Sequence, residues 1–298
     1  MKYPPCIDKE TGEICANNAS LRSEIENFTH LLKPIVPLQG TMPSVRGVDI
    51  HGENIPLNEI GGDLLLFLDF NDRYNIPSIN HEYRQDDLCE TMTKAGVAII
   101  DSSGHSATTS YLGSAFYYAL ATGLLYELEE YGHVTTGLFE KLNHIFYNQD
   151  GIFLTMTYGE ISPGGVFRYI QASNPPPLVF SNEFERFMEL GPDQLRSSLP
   201  IGVAPSESYR DTRHTLIKQK YATNQIVLSQ PGDLILLSTD GLSDHATGSD
   251  HFSGRMEDII RSVKDAPAQA IAHAIRDDLE QFATRQDDIS FVVIKKTE

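Results

Sequence analysis

The chain has 298 residues, of which 40% are hydrophobic and 21% charged, a composition typical of a globular protein with a sizeable core. Its 41 acidic and 23 basic residues give a net charge of −18, which repels nucleic acids and anionic membrane surfaces. The charge therefore excludes nucleic-acid binding as a leading function. It favours either a cation and a protein partner with a basic face, or an acidic surface that serves only solubility.

The cysteines and the apolar segments predict the compartment. Cys6, Cys15 and Cys89 form an odd set without a CxxC spacing, which argues against a disulfide framework and fits a reducing cytosol. No apolar run approaches the roughly 20 residues of a membrane span, and the N-terminus lacks a basic-then-apolar signal pattern. We therefore expect a cytoplasmic protein without a membrane partner.

The first segment of the chain differs from the rest. Residues 1–19 are rich in Pro, Cys and Asn without periodicity, and predict a flexible tail. Residues 20–33 predict a helix, because Ser20 offers N-cap chemistry, apolar residues recur at three- and four-residue spacings, and Pro34 ends the pattern. This helix either packs on its own domain or acts as a dimerisation or regulatory element. Residues 34–298 are predicted to form one domain.

Strands dominate this domain. Helical periodicity covers residues 107–131, 135–146, 256–263 and 266–283. The polar segment 71–93 predicts an extended hairpin tip, which is either a partner-recognition element or inert. The predicted strands cover residues 48–50, 60–70, 95–100, 153–161, 166–172, 178–180, 187–190, 221–228, 234–238 and 289–295. This order predicts an α+β fold, a β-sandwich of two mainly antiparallel sheets flanked by α-helices.

Four short stretches share one design, in which an apolar strand meets an aspartate beside glycine or another turn-forming residue. Their aspartates are Asp63, Asp101, Asp240 and Asp287. Hard divalent cations such as Mg²⁺ and Mn²⁺ need carboxylates that are held rigidly in a cleft. Each stretch alone is typical of a turn, and spacing alone does not show that the four converge. Their joint occurrence nevertheless indicates a metal site.

The four stretches, in this order, resemble the metal-binding motifs of PPM-type serine/threonine phosphatases. They match best the bacterial SpoIIE-like branch, whose members have GGD, D-x-x-GH, TDG and DD[IM][ST]. Segments between the motifs agree, since residues 172–178 (ASNPPPL) resemble that branch's AGHPPPL turn and residues 199–203 (LPIGV) resemble its PLGI segment. The similarity covers roughly residues 31–295.

The resemblance implies a PPM-like fold and a protein phosphatase that uses two Mn²⁺ or Mg²⁺ ions. Asp63 and Asp101 would bridge or flank the metals, and the backbone carbonyl of Ser102 would be a further ligand. Asp240 and Asp287 would complete the opposite side. Metal-activated water would attack the phosphate directly, so that no cysteine nucleophile is needed.

A histidine and two further acids lie close to these motifs in the sequence. The resemblance implies that His105 either donates a proton to the leaving serine oxygen or hydrogen-bonds a loop or a metal-bound water. The glycine-rich turn that fixes its direction favours the positioning role. Asp244 and Asp288 could supply further carboxylates, but we expect both to be solvated turn residues.

Three positions depart from the family pattern. Leu66 stands where many relatives have a second acidic residue, Asn174 replaces the histidine of the AGHPPPL turn, and Ser106 replaces a glycine. These departures support an alternative function, a catalytically weak binding or scaffold module in a signalling pathway. The four aspartates argue against it, because a module without catalysis has no need to desolvate four carboxylates.

The resemblance also implies the class of partner. The expected substrate is a phosphoserine or phosphothreonine on a small regulatory protein, such as a STAS-domain antagonist of an anti-sigma factor. A homodimer through the helix at residues 20–33 is a second expected contact.

Overall fold

The computed structural model of the protein describes residues 42–57, 61–71, 75–78, 82–103, 107–147, 153–206 and 218–298. The predicted tail at residues 1–19 and the predicted helix at residues 20–33 lie outside these residues. Within the described ranges, none of the helices combines the length and the apolar character that a membrane span requires.

The described residues form twelve strands, six α-helices and three short 3-10 turns. The strands are β1 (Val48–Ile55), β2 (Leu64–Asp69), β3 (Ala95–Ser102), β4 (Leu154–Ile161), β5 (Val166–Ala172), β6 (Leu178–Ser181), β7 (Arg186–Met188), β8 (Thr223–Val227), β9 (Leu234–Ser238), β10 (Ala246–Thr247), β11 (Asp250–His251) and β12 (Ile289–Lys296). The helices are α1 (Glu82–Thr91), α2 (Ala107–Tyr131), α3 (Thr136–Phe146), α4 (Asp240–Ser243), α5 (Met256–Val263) and α6 (Ala268–Phe282). Short 3-10 turns cover Ile76–Ser78, Pro192–Gln194 and Phe252–Gly254.

Two antiparallel sheets form the centre of the fold. The first sheet has the order β1-β12-β9-β6-β7, and the second has the order β2-β3-β4-β5-β8. Side chains from both sheets, among them Ile50, Val97 and Val292, pack together in the sandwich interior. The predicted sandwich of two antiparallel sheets is therefore present.

Helices cover the outer face of each sheet. On the second sheet, α2 and α3 contribute Phe116 and Phe139 to a core that includes Leu66. On the first sheet, α5 and α6 pack against β9 and β12, with Ile260 and Ile275 among the buried residues. Because both faces of these central strands are covered, β9 and β12 are apolar runs rather than alternating patterns.

The segment at residues 71–93 joins the antiparallel strands β2 and β3, as the predicted hairpin requires, but its second half is the helix α1 rather than an extended tip. This helix is polar on most sides, so its sequence carries little amphipathic signal. It is held by Leu88, which is buried, and by Thr91, whose Oγ1 donates to the carbonyl of Gly132 at 2.7 Å. Gly132 ends α2 with a φ of 72°, as the sequence predicted, and α1 lies against this end.

Candidate metal centre

The strand pair β2–β3 brings the first two predicted aspartates together. Leu64 lies opposite Ile100 in the antiparallel register. Asp63 directly precedes Leu64, and Asp101 directly follows Ile100, so the register places them side by side at one end of the second sheet. The side chain of Asp63 is buried and that of Asp101 is half-buried.

The strand pair β9–β12 does the same for the other two aspartates. Ser238, the last residue of β9, lies opposite Phe291 of β12. Asp240 follows two residues after Ser238 at the start of α4, and Asp287 lies two residues before β12 begins. Asp240 is exposed and Asp287 is half-buried. In each sheet, antiparallel pairing therefore places two aspartates near each other at the ends of two neighbouring strands.

Hydrogen bonds join the two strand pairs at this end of the sandwich. Thr239 Oγ1, from the first sheet, donates to Asp63 Oδ2 at 2.8 Å. The same Oγ1 accepts from the backbone N–H of Ser290 at 3.0 Å. Within the second sheet, Ser102 Oγ donates to the carbonyl of Gly62 at 2.9 Å. The predicted ligand Ser102 therefore lies beside the loop that carries Asp63, and its side chain is buried.

Asp288 is buried, and the expectation of a solvated turn residue is wrong for it. Its Oδ1 accepts from the backbone N–H of Leu57 at 2.6 Å, and its Oδ2 accepts from that of Gly62 at 2.5 Å. These charge-assisted bonds hold the loop before Asp63 against the turn before β12. In the sequence, the feature that could have indicated this buried role is the second aspartate of the Asp287-Asp288 pair. The exposed Asp244 agrees with its prediction.

The glycine of the Thr-Asp-Gly motif is required by a close approach of two backbones. A Cβ at Gly241 would lie 2.0 Å from the carbonyl oxygen of Asp288. Only a residue without a side chain allows α4 to begin against this turn. The close contact places Asp240 and Asp287 on neighbouring segments.

The electrostatics show that the aspartates converge. Burial raises the pKa of Asp101 to about 6, and the charges of Asp240 and Asp287 contribute to the rise. Burial and the charge of Asp101 raise the pKa of Asp63 well above its usual value, against the hydrogen bond from Thr239. Burial and the charge of Asp287 likewise raise the pKa of Asp240. Neighbouring carboxylates therefore destabilise the ionised forms of Asp63, Asp101 and Asp240.

This donor set fits hard divalent cations. Carboxylate oxygens are the ligands that Mg²⁺ and Mn²⁺ prefer, and a cation would relieve the mutual repulsion. Among the described residues, no three of these carboxylates approach one another as closely as the atoms of His51, Glu53 and His273, which lie within 4.8 Å. Asp63 and Asp101 are close enough for their carboxyl groups to share a hydrogen bond, and a bound cation would take the place of that proton.

Two of the departures from the family pattern have structural roles. Asn174 is buried, and its Nδ2 donates to the carbonyl of Ser238 at 2.9 Å and to Thr157 Oγ1 at 3.2 Å. It thus ties β4 of the second sheet to the end of β9, directly before the Thr-Asp-Gly motif. Leu66 is buried in the core beneath α2 and α3. Ser106 and the predicted catalytic His105 lie outside the described residues.

Most of the chain matches the sequence model of a known family. The sequence model described as Stage II sporulation protein E (SpoIIE) matches residues 92–297, which is more than half of the chain. This range contains Asp101, Asp240 and Asp287. A search of curated proteins gave no match.

Solved structures share the fold. The RsbU and RsbW domains of Rv1364c from Mycobacterium tuberculosis match with a TM-score of 0.63 and 20% identity, over 88% of this chain and 64% of that chain. The PP2C phosphatase domain and regulatory fragment of SpoIIE from Bacillus subtilis match with a TM-score of 0.60 and 16% identity, over 84% and 64%. The SiaA PP2C domain of Pseudomonas aeruginosa matches with a TM-score of 0.61 and 16% identity, over 94% and 98%.

This chain spans less than two thirds of the length of the first two structures. The predicted fold class, a PPM-like β-sandwich flanked by helices, is confirmed by the sheets described above and by these neighbours.

Proposed function

The chain belongs to the SpoIIE family of PP2C-type phosphatase domains, and from this premise we propose that it is a metal-dependent protein phosphatase. Its proposed reaction is the hydrolysis of a phosphoserine or phosphothreonine on a regulatory protein. The observation that carries the proposal is the convergence of Asp63, Asp101, Asp240 and Asp287 at one end of the sandwich, where neighbouring carboxylates raise the pKa values of the first three.

The proposed metal ligands are these four aspartates and the backbone carbonyl of Ser102. Bound Mn²⁺ or Mg²⁺ ions, two by family resemblance, would supply Lewis-acid activation of water and neutralise charge on the phosphate oxygens. The hydroxyl of Thr239 holds the carboxylate of Asp63 in a fixed direction. Asp288 fixes the loop that carries Asp63 through the backbone N–H of Gly62. These contacts prepare the carboxylates for their ligand role before substrate arrives.

The role of His105 stays a prediction. In the proposed reaction it either protonates the leaving oxygen of the serine or threonine or positions a neighbouring group. A His105→Gln variant separates these roles. Loss of turnover on an alkyl phosphoserine peptide, with turnover retained on an aryl phosphate that has a better leaving group, indicates proton donation.

The proposed substrate is a small regulatory protein with a basic face, such as a STAS-domain antagonist of an anti-sigma factor. The net charge of −18 supports a basic partner. The M. tuberculosis neighbour combines RsbU and RsbW domains, and the B. subtilis neighbour is described as a cell fate determinant, which supports a place in regulation. Affinity would come from the docking surface as well as from the metal site.

Two further expectations accompany this proposal. The free cysteine Cys89 is exposed, which supports the proposed reducing, cytoplasmic compartment. The homodimer through residues 20–33 stays a prediction, and size-exclusion chromatography of a chain without residues 1–33 tests it.

The direct test is phosphate release from an aryl phosphate and a phosphoserine peptide with Mn²⁺ or Mg²⁺. We expect turnover that disappears with EDTA and in Asp240→Asn. The matched control is Asp250→Asn, an exposed aspartate on β11 in the same region of the chain, which should keep full activity. Absence of turnover under every metal condition would favour the scaffold alternative, in which Asp240→Asn still binds the partner.

A further inference from the structure

A second group of potential metal ligands lies on the outer face of the first sheet. His51 and Glu53 are two residues apart on β1, so their side chains point to the same face. The helix α6 crosses this face and contributes His273. His273 is more than 200 positions from His51 and Glu53 in sequence, and none of the three is a proposed phosphatase ligand.

The ligand atoms of the three side chains converge on one point. The Nε2 atom of His51 lies 3.1 Å from Glu53 Oε1, and the Nε2 atom of His273 lies 3.3 Å from the same oxygen. All three atoms are within 4.8 Å of one another. Neighbouring ligands of a tetrahedral zinc ion are separated by about 3.3 Å, given bonds of roughly 2.0–2.1 Å. The two distances to Glu53 Oε1 therefore match a tetrahedral edge.

The two imidazole rings lie edge to face, and the Nε2 atom of each lies near Glu53 Oε1. Their centroids are 5.6 Å apart and their planes are nearly perpendicular, at 87°. With the proton on Nδ1, each Nε2 carries a lone pair that is available to a cation. The side chain of Glu53 is only 6% exposed, which fixes the position of its carboxylate.

A polar network without a metal is the alternative account of the same contacts. Arg276 NH1 lies 3.6 Å from Glu53 Oε1 and supplies a positive charge to this carboxylate. However, Arg276 also pairs with Asp277 at 3.1 Å, so it keeps a carboxylate partner when a cation takes Glu53. Arg276 is therefore compatible with an ion rather than a replacement for it.

The cluster borders a cavity of about 710 Å³ that is also lined by Met42 and Gln269. The three protein ligands leave the fourth position of a tetrahedral ion free. Water from this cavity can fill that position. The combination of three convergent ligands and an adjoining cavity is that of a built site rather than of scattered surface residues.

We propose that His51, Glu53 and His273 bind a borderline divalent cation of the Zn²⁺ class. Two imidazoles and one carboxylate select zinc, cobalt or nickel over Mg²⁺, whereas the all-aspartate centre selects hard cations. The ion ties α6 to β1, the edge strand of the first sheet. The two centres therefore differ in metal preference as well as in position.

The experiment measures Zn²⁺ binding by isothermal titration in the presence of a large excess of Mg²⁺, which occupies the aspartate centre. We expect one tight Zn²⁺ per chain. His273→Ala should weaken it at least about 100-fold, because removing a direct ligand exceeds the 10–100-fold cost of losing an outer-shell partner. His273→Gln, which keeps a side chain able to bond Glu53, should weaken Zn²⁺ binding to a similar extent.

Two variants are matched controls. His251→Ala removes an exposed histidine of β11 and should keep the wild-type affinity for Zn²⁺. Asp240→Asn should also keep it, since this aspartate belongs to the other centre. Co²⁺ in place of Zn²⁺ should give a visible absorption band of tetrahedral type that is lost in His51→Ala. Unchanged Zn²⁺ binding in a His51→Ala, His273→Ala double variant would overturn the proposal, and so would a wild-type chain that binds no Zn²⁺ under excess Mg²⁺.

Discussion

The carboxylates of the two charged clusters in this molecule have pKa values that are shifted in opposite directions. At the end of the sandwich, burial and neighbouring carboxylates raise the pKa of Asp101 to about 6. On the outer face of the first sheet, burial also acts to raise the pKa of Glu53, but His51, Arg276 and His273 lower it below the usual value. Among the described residues, carboxylates are the charged groups that chiefly shift the pKa values of the aspartates, whereas Glu53 has His51, Arg276 and His273 as neighbours that lower its pKa.

This difference indicates how much each cluster would be stabilised by a bound cation. A carboxylate without a cationic partner in a protein interior favours its protonated form, so the aspartates gain most from an external cation. Glu53 is stabilised by its own neighbours, so a metal ion there replaces existing interactions. We therefore expect activity to depend strongly on the aspartate centre and weakly on the Glu53 cluster.

The largest expected effect is on catalysis. Asp101→Asn removes a carboxylate that faces both strand pairs, and we expect kcat/KM to fall at least about 1000-fold, the upper end of what the loss of one charge-stabilising group costs. The measurement is Mn²⁺-dependent hydrolysis of a phosphoserine peptide. Asp250→Asn and His273→Ala should each stay within about twofold of the wild type. Equal losses in Asp101→Asn and His273→Ala would remove the distinction between the clusters.

A glycine substitution tests the packing behind the aspartate centre. Gly241→Ala places a Cβ 2.0 Å from the carbonyl oxygen of Asp288, so α4 or the turn before β12 must move. We expect a loss of about 3 kcal/mol in the free energy of unfolding, the upper range for overpacking, together with lost activity. Gly254→Ala is the matched control, because its Cβ would meet no atom within 4 Å. Urea denaturation measures both variants, and similar stability in the two would contradict the close contact.

The sign of the pKa shift predicts a pH dependence for the metal-free protein. Asp101 has a folded-state pKa of about 6 against a reference value of 3.8, so between these values the folded state holds a proton that the unfolded state has lost. Stability should therefore fall as the pH rises from about 4 to about 6, on the order of 2 kcal/mol in total. Urea denaturation in EDTA measures it. Asp101→Asn should flatten the dependence of the unfolding free energy on pH. An unchanged dependence would show that other groups cause it.

The smallest effect is expected at the second cluster. Glu53→Gln keeps the shape of the side chain but removes its charge from His51 and Arg276, which should cost about 1 kcal/mol at pH 7. Because the pKa of Glu53 is lowered, its contribution is present above the reference value of 4.5 and is lost as the pH falls through the folded-state value. The pH slope is thus opposite in sign to that of Asp101. If Glu53→Gln were more stable than the wild type at pH 7, then His51 and Arg276 would not offset the cost of burying the ionised carboxylate.

Strands and helices were predictable where an element packs against the core, because its apolar residues then recur with a clear period. The bounds predicted for α2 agree with Ala107–Tyr131, because its apolar period is long and Gly132 ends it. The helix α1 was missed, because its polar sequence is fixed by Leu88 and Thr91 against the end of α2. Such an anchor depends on a distant element and leaves little local periodicity.

The candidate site divides in the same way. The four aspartates were predicted as a site because each adjoins an apolar strand and because their motifs occur in the order of the resembled family. The burial of Asp288 was not predicted, because its partners, the backbone N–H groups of Leu57 and Gly62, come from more than 220 residues away. The cluster of Glu53 and His273 was invisible for the same reason, since only the packing of α6 on β1 brings the two residues together.

The central claim is that the four aspartates form a two-ion centre, and a crystal soaked in Mn²⁺ tests it most directly through anomalous diffraction. We expect two manganese peaks between Asp63, Asp101, Asp240 and Asp287, and no such peaks at these positions in a soaked crystal of Asp101→Asn. Manganese found only at His51, Glu53 and His273, or no manganese near the four aspartates at saturating concentration, would contradict the claim.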